Sequence, residues 1–364
     1  MNCIIKWITL PFIISSFAAA VSATEAPYPV GEEELKNWRL SEITYPESNP
    51  YQKATEELGK QLFFDPRLTG DRTLSCAACH FPGTGWSDPL PISNGDGNGM
   101  ARQAPTLINV AFQSSFFWDG RSDSLINQAR GPIESPFEMN SNLAFINAKL
   151  AEIPEYQDLF QAAFAAEVQP ELILDALAAF EQTLRVNDSP YDQYLAGKKD
   201  ALSKQAKAGL KIFFGSGGCS QCHSGPLLSD QKFYNLGVAE TESLRTDPQH
   251  RSTRRYQLAS MGLPMQESDP GRYRITKNAA EMGAFRTPPL RQVAQTGPYM
   301  HNGSIKTLAE LITFFNEGGG EDAHKTPILK RKNFTNEEQT ALVAFLESLS
   351  GTIPEIHQPR LPGE

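Results

Sequence analysis

Two five-residue stretches decide how this sequence is read: Cys76-Ala-Ala-Cys79-His80 and Cys219-Ser-Gln-Cys222-His223. The 364-residue chain holds only five Cys and six His, and these stretches take four of the Cys. In an exported chain, four Cys can pair as two disulfides. A redox dithiol or a four-Cys zinc site would also make use of them. All three leave the His after each second Cys unexplained, and the pairs lie far outside the span of a local zinc ribbon. C-x-x-C-H is the attachment pattern of c-type haem. Two thiols bond to the haem vinyl groups, and the adjacent His reaches the iron. The sequence therefore predicts two covalent haem c groups, with His80 and His223 as proximal ligands.

The fifth Cys, Cys3, falls in an N-terminal segment that reads as an export signal. Lys6 precedes an apolar run from Trp7 to Ala20, and Val21-Ser22-Ala23 is a small-x-small cleavage pattern. The run is short for a membrane span and contains Pro11, so residues 1–23 are expected to leave a periplasmic protein. With Lys6 gone, the formal charge moves from −9 to −10. No basic block stands out, which argues against a nucleic-acid partner. The acidity favours a soluble protein and a partner with a basic surface. At 40% hydrophobic and 21% charged, the composition is globular. Disorder, collagen-like repeats and a multi-span membrane protein are excluded.

The pattern along the chain predicts a mainly α protein with long loops. Asn49-Pro50 marks a helix start, leading into Ala54, Leu58, Leu62 and the Phe63-Phe64 pair. Leu143 to Phe164 reads as helix broken near Pro154. Pro170 opens another, and Ala206, Leu210 and Phe213 form a further stripe. Thr307 with Glu310, and Thr335 with Glu338, are capping boxes; the helices they open stop at Gly318 and Gly351. No sustained alternation suggests a large sheet. Segments 81–104 and 227–285 read as long loops, of the kind that line a site. A helix ending in a Phe pair precedes each Cys pair, which indicates two related units. The predicted division is 24–195 for the first haem domain and 196–364 for the second.

The sixth position of each iron decides between electron relay and chemistry. No His lies between His80 and His223, so the first unit's own loop cannot close its iron with imidazole. Met100 is the one Met in that loop and reads as a surface residue. An open iron needs a proton-handling group above it. Gln128, Glu134 and Glu138 are on offer, and Glu138 lies between Phe137 and Met139, where burial would raise its pKa.

These residues resemble the bacterial di-haem cytochrome c peroxidase family, including its methylamine-utilisation (MauG) branch. The matching pieces are Leu-Gly-Lys-Gln-Leu-Phe-Phe-Asp from Leu58, both C-x-x-C-H motifs, and Ala104-Pro105-Thr106-Leu107. Phe-Trp-Asp-Gly-Arg around Trp118, Gln128, Pro-Phe-Glu-Met ending at Met139, Arg286 to Arg291 and Pro298 to Ser304 follow in family order. The resemblance implies that hydrogen peroxide reacts at the first haem and that electrons arrive at the second. It implies that Trp118 supports electron exchange between them and that Gln128 and Glu138 line the distal pocket, Glu138 as the acid–base group. It also implies a calcium ion between the haems, with Thr296 and Pro298 at its carbonyl-donor positions and Gln103 near its side-chain position. The expected donor is a small cytochrome c or copper protein. The family often forms dimers, so a homodimer is compatible with the resemblance.

Two departures stand out. Members that need reductive activation carry a distal His in the loop after the first motif, and this chain has none. Other members place Met or Tyr as the far axial ligand of the second haem, where this chain has Phe315, which cannot ligate iron. Either the second iron is five-coordinate, or another residue fills the position: Met300 first, with His301 or a Met of the 227–285 loop (Met261, Met265) as alternatives. The expected activity is peroxide reduction. Two rival readings are a MauG-like enzyme oxidising side chains of a partner protein and a non-enzymatic di-haem carrier.

Overall fold

A computed structural model describes residues 32–71, 73–95, 102–266 and 268–364. The predicted signal segment and Met100 lie outside the described residues. The longer helices are α1 (Lys53–Phe64), α2 (Leu125–Glu134), α3 (Leu143–Ala151), α4 (Pro154–Phe164) and α5 (Pro170–Gln182). They are followed by α6 (Lys204–Phe214), α7 (Pro248–Ser260), α8 (Leu308–Asn316) and α9 (Asn336–Glu347). The only strands among the described residues are Phe233–Tyr234 and Phe285–Arg286, paired antiparallel. The mainly α expectation therefore holds.

Two apolar cores organise the chain, and the same device builds both. In the first, α1 crosses α5 at Gly59, where a Cβ would lie 1.9 Å from the Ala176 carbonyl oxygen. Four residues on, Phe63 meets Phe180 with ring centroids 5.3 Å apart. In the second, α6 crosses α9 at Gly209, again 1.9 Å from a carbonyl, that of Ala341. Phe213 meets Phe345 at 5.0 Å. Only a residue without a side chain lets the backbones approach so closely, and the Phe pairs then fill the space beside the crossing. The chain ends cross over: Leu35 and Trp38 pack on the second core, and Ile353, Ile356 and Leu361 on the first.

Capping boxes at Thr307 and Thr335 form as read from the sequence. The break before Pro154 is also present, with α3 ending at Ala151. Three details differ. Asn49 does not cap α1. It is buried, and its amide donates to the Asp175 carbonyl at 2.8 Å, so α1 begins at Lys53. The last helix stops at Glu347 and continues as turns to Ser350, after which the Gly351 amide donates to the Gln292 side chain. The segment 227–285 is not all loop. Asp247 caps α7 by accepting from the Gln249 and His250 amides, a signal that its low hydrophobic content hides.

Candidate functional site

Each motif is wound into a tight turn just after a core helix. Asp65 ends α1 and caps a short 3₁₀ turn. Cys76–Cys79 then makes one helical turn, closed by the His80 amide donating to the Cys76 carbonyl at 2.9 Å. In the second unit the Cys219–Gln221 turn follows α6, and the His223 amide donates to the Cys219 carbonyl at 2.9 Å. All four Cys are half-buried and none is in a disulfide. Burial pushes the Cys79 and Cys219 thiols up to about 12 and Cys222 to about 11, and Cys76 is raised further.

The two His rings are each held through Nδ1 by a backbone carbonyl, which would leave Nε2 available to a metal. His80 Nδ1 faces the Trp86 carbonyl at 3.3 Å, and His223 Nδ1 faces the Leu228 carbonyl at 2.9 Å. A carbonyl only accepts, so Nδ1 carries the proton and Nε2 keeps its lone pair. This is the usual arrangement of a ligating His. Desolvation lowers the pKa of both rings, which favours the neutral form that ligation needs.

A cavity of about 240 Å³ connects the second motif to the first unit. Its walls include Cys219, Cys222 and His223, with Met300 and Phe315. Gln103, Trp118, Thr296 and Pro298 line the same space, so the predicted interhaem and cation residues come together there. Trp118 is half-buried, and its indole N–H donates to the Gln103 carbonyl at 2.9 Å. Among the described residues no three His, Cys, Asp or Glu gather into a metal cage. A cation at Gln103 would therefore rely on amide and carbonyl oxygens. Met300 and Phe315 both pack partly buried against the second core, and His301 lines the same cavity with its ring stacked on Phe285 at 3.7 Å.

Arg286 also lines this cavity, and sequence reasoning gave it no role of its own. It is buried, its Nη1 has no partner among the described residues, and burial alone pulls its pKa down to about 10. A buried cation without a carboxylate needs a counter-charge. A haem propionate has that charge, so the residues present fit the group that the motifs imply. Arg286 also holds the Trp118 turn: its amide donates to the Trp118 carbonyl at 2.8 Å and its Nε to that of Phe117 at 3.3 Å.

Gln128 and Glu138 stand on another part of the first unit, on α2 and the turn that follows it. Ser124 caps α2, and Gln128 is half-buried. Beyond Glu134 the chain turns back, with the Glu138 amide donating to Ser135 and that of Met139 to Pro132, both at 3.1 Å. Glu138 is half-buried. Desolvation raises its pKa, opposed in part by the Arg121 charge and the Ser135 hydroxyl. Glu134 differs: it is exposed and paired with Arg130 at 3.5 Å. A second set of residues unseen in the sequence ties the segments together. Arg102 grips Asp269 at 2.7 and 2.9 Å and Asp119 at 2.7 Å, all three buried. The Arg102 charge holds both carboxyls below their ordinary range. Pairs so distant in sequence leave no spacing signal.

Comparison with known proteins agrees with this geometry. Residues 53–200 match the family described as di-haem cytochrome c peroxidase. The chain is 40% identical to cytochrome-c peroxidase IdrP1 of Denitromonas iodatirespirans, over 95% of this chain and 93% of the relative. It is 33% identical to the methylamine utilization protein MauG of Methylorubrum extorquens, over 95% and 92%. Among solved structures, a MauG-like protein associated with microbial copper homeostasis superposes with a TM-score of 0.74 at 28% identity, covering 86% of this chain and 95% of that one.

Proposed function

Because this chain belongs to the di-haem cytochrome c peroxidase family, we propose that it is a periplasmic peroxidase. It reduces hydrogen peroxide to water with electrons from a small cytochrome c or copper protein. The family implies two haem c. Cys76, Cys79 and His80 would hold the first, and Cys219, Cys222 and His223 the second. When bound, they supply the iron at which the O–O bond breaks and the path for two electrons. The balance is one peroxide, two electrons and two protons giving two waters.

The observation that carries the reading is Glu138. Its carboxyl is half-buried with a raised pKa, on a chain with no His between His80 and His223 to fill the facing position. Glu138 takes the proton from one peroxide oxygen and delivers it to the departing one, the general acid–base step that this cleavage needs. Gln128 orients the bound peroxide through its amide. Trp118, on the wall that holds the second motif, supports electron passage between the units. Calcium at Gln103, Thr296 and Pro298 would fix the cavity wall beside Trp118. The division into haem domains 24–195 and 196–364 belongs to the same reading. So does export, with residues 1–23 as the signal; no helix among the described residues is long and apolar enough to cross a membrane.

The test is the spectrum of the purified haem-loaded protein before and after peroxide, followed by donor oxidation. A high-spin component that reacts with peroxide and is restored by a reduced cytochrome or copper protein supports the peroxidase. Two low-spin haems inert to peroxide leave only the carrier. Reaction with peroxide but no turnover with any such donor favours oxidation of a partner protein.

A further inference from the structure

The Glu138 segment is gripped from three directions by residues remote in sequence. Gly95, in the loop after the first motif, is buried against the Phe137–Glu138 peptide. A Cβ on Gly95 would stand 1.9 Å from the Phe137 carbonyl oxygen and 2.8 Å from the Glu138 Cα. The backbone of Gly95 does not need a positive φ, so the demand for glycine there is closeness alone. The loop is anchored just before this contact. Ser93 is fully buried, and its hydroxyl accepts from the Ala104 amide at 2.9 Å. On the other side of Glu138, the Gly70 amide donates to the Met139 carbonyl at 3.0 Å. The third grip comes from the second unit: Tyr256 on α7 packs edge-on against Phe137, with centroids 5.4 Å apart. Tyr256 is 59% exposed, so its ring braces Phe137 from the protein surface.

We propose that Gly95 and Tyr256 are positioning residues for Glu138: they clamp the Phe137–Glu138 peptide between the first-motif loop and α7. The proposal rests on the acid–base reading of Glu138 and deepens it. Proton transfer of this kind depends on sub-ångström placement, and a shift of about 1 Å can reduce a rate on the order of 10²-fold. Adding a methyl to Gly95 forces a backbone movement, because the obstructing atoms belong to the main chain rather than to a flexible side chain. That movement carries Glu138 with it. Tyr256 couples the same peptide to the second unit, so the placement of the proton-handling group depends on a segment outside its own haem domain.

The experiment uses haem-loaded protein and cyanide as a probe beside peroxide. Hydrogen cyanide must lose its proton to bind iron as the anion, so its association rate reports a positioned base without turnover. Glu138→Gln is the reference variant. Gly95→Ala should slow cyanide association and peroxide consumption by about tenfold or more. In the Glu138→Gln background it should add less than about twofold, because the two changes act through one group. Tyr256→Ala should slow both reactions by a smaller factor, and Tyr256→Phe, which keeps the ring contact, should restore them. Thermal unfolding identifies folded variants. If Gly95→Ala does not fold, the Tyr256 pair decides alone. A folded Gly95→Ala protein with an unchanged cyanide rate overturns the clamp, as does an equal loss in both backgrounds or a Tyr256→Ala protein that matches Tyr256→Phe. An unchanged rate in Glu138→Gln itself overturns the acid–base reading instead.

Discussion

Glu134 and Glu138 stand four residues apart on one segment, and they give a matched test of the peroxidase reading. Substituting Gln at either position keeps size and polarity and removes only the ionisable proton. Glu134 is exposed and makes an i,i+4 pair with Arg130. Its loss should change stability by only about 0.2–0.5 kcal/mol and leave peroxide chemistry untouched. Glu138 is half-buried and makes no ion pair at contact distance among the described residues. Its loss removes general acid–base help, which contributes about 10²–10⁴-fold. At 1.36 kcal/mol per factor of ten, that is about 2.7–5.4 kcal/mol of barrier. The sign of the pH dependence follows from the same burial. Glu138 must be ionised to accept the peroxide proton, and its pKa is raised above 4.5. The peroxide rate should therefore climb with pH along a limb that lies above the ordinary carboxylate range, and Glu138→Gln should abolish that limb. Arg121 lowers the pKa of Glu138, so Arg121→Gln should move the limb to higher pH. Stopped-flow mixing of haem-loaded protein with peroxide across pH measures all of this. A Glu138→Gln protein that keeps both its rate and its limb refutes the reasoning, and so does a comparable loss in Glu134→Gln.

Three other outcomes are expected. Glu181 is 5% exposed with its Oε2 unpartnered among the described residues, and burial raises its pKa to about 8. The folded state therefore holds a proton that the unfolded state has released, so stability falls as pH rises from about 4.5 to 8, by a few kcal/mol at most; Glu181→Gln should flatten this loss in urea unfolding at pH 5 and 8.5, and parallel behaviour of the two proteins would count against it. Gly59→Ala and Gly209→Ala each gain about 1 kcal/mol of helix propensity but overpack a crossing, at about 1–3 kcal/mol. Both should lower the melting temperature, and a rise in either would show that the crossing tolerates a side chain. Phe315→Met should raise the second haem's midpoint potential, on the order of 0.1 V, since axial ligands help spread haem potentials over about 0.8 V; spectroelectrochemistry without any shift would remove position 315 from the axial site.

Much of the fold was legible because its signals are local. Capping boxes at Thr307 and Thr335 place their oxygens three residues from the amides they meet, so a short window contains the whole interaction. The Phe pairs at 63–64 and 213–214 point to two related units. A stronger sign of duplication emerges only with the fold: Gly59 and Gly209 each precede a Phe pair by four residues, as Ala176 and Ala341 each precede the Phe that completes the contact. One helix turn separates the close approach from the aromatic fill, but the partner helix is more than a hundred residues away. Helix α7 escapes sequence reasoning for a different reason. Its sequence is dominated by Arg, Ser and Gln with few apolar positions, so periodicity carries no signal, and only the Asp247-Pro248 start could have marked it.

The site divides along the same physical line. Thioether attachment needs two thiols and a ligand on one turn, so C-x-x-C-H is compact and visible. The groups that tune such a centre have no reason to be neighbours in sequence. Arg286 is attached to the Trp118 turn, and Arg102 joins Asp119 to Asp269, because a low-dielectric interior requires each charge to find a partner wherever the fold puts one. Arg286 is the informative exception, since it is buried with Nη1 unmatched by any carboxylate among the described residues. Arg102 is satisfied twice over while the Arg286 Nη1 stays open among the described residues, as a site for an anion from outside the polypeptide would require. Its position beside Trp118 puts that anion where electrons would cross between the two units. The charge that balances Arg286 would then also set the potential felt along the path, which links the binding of the second haem to the rate at which the first can be supplied.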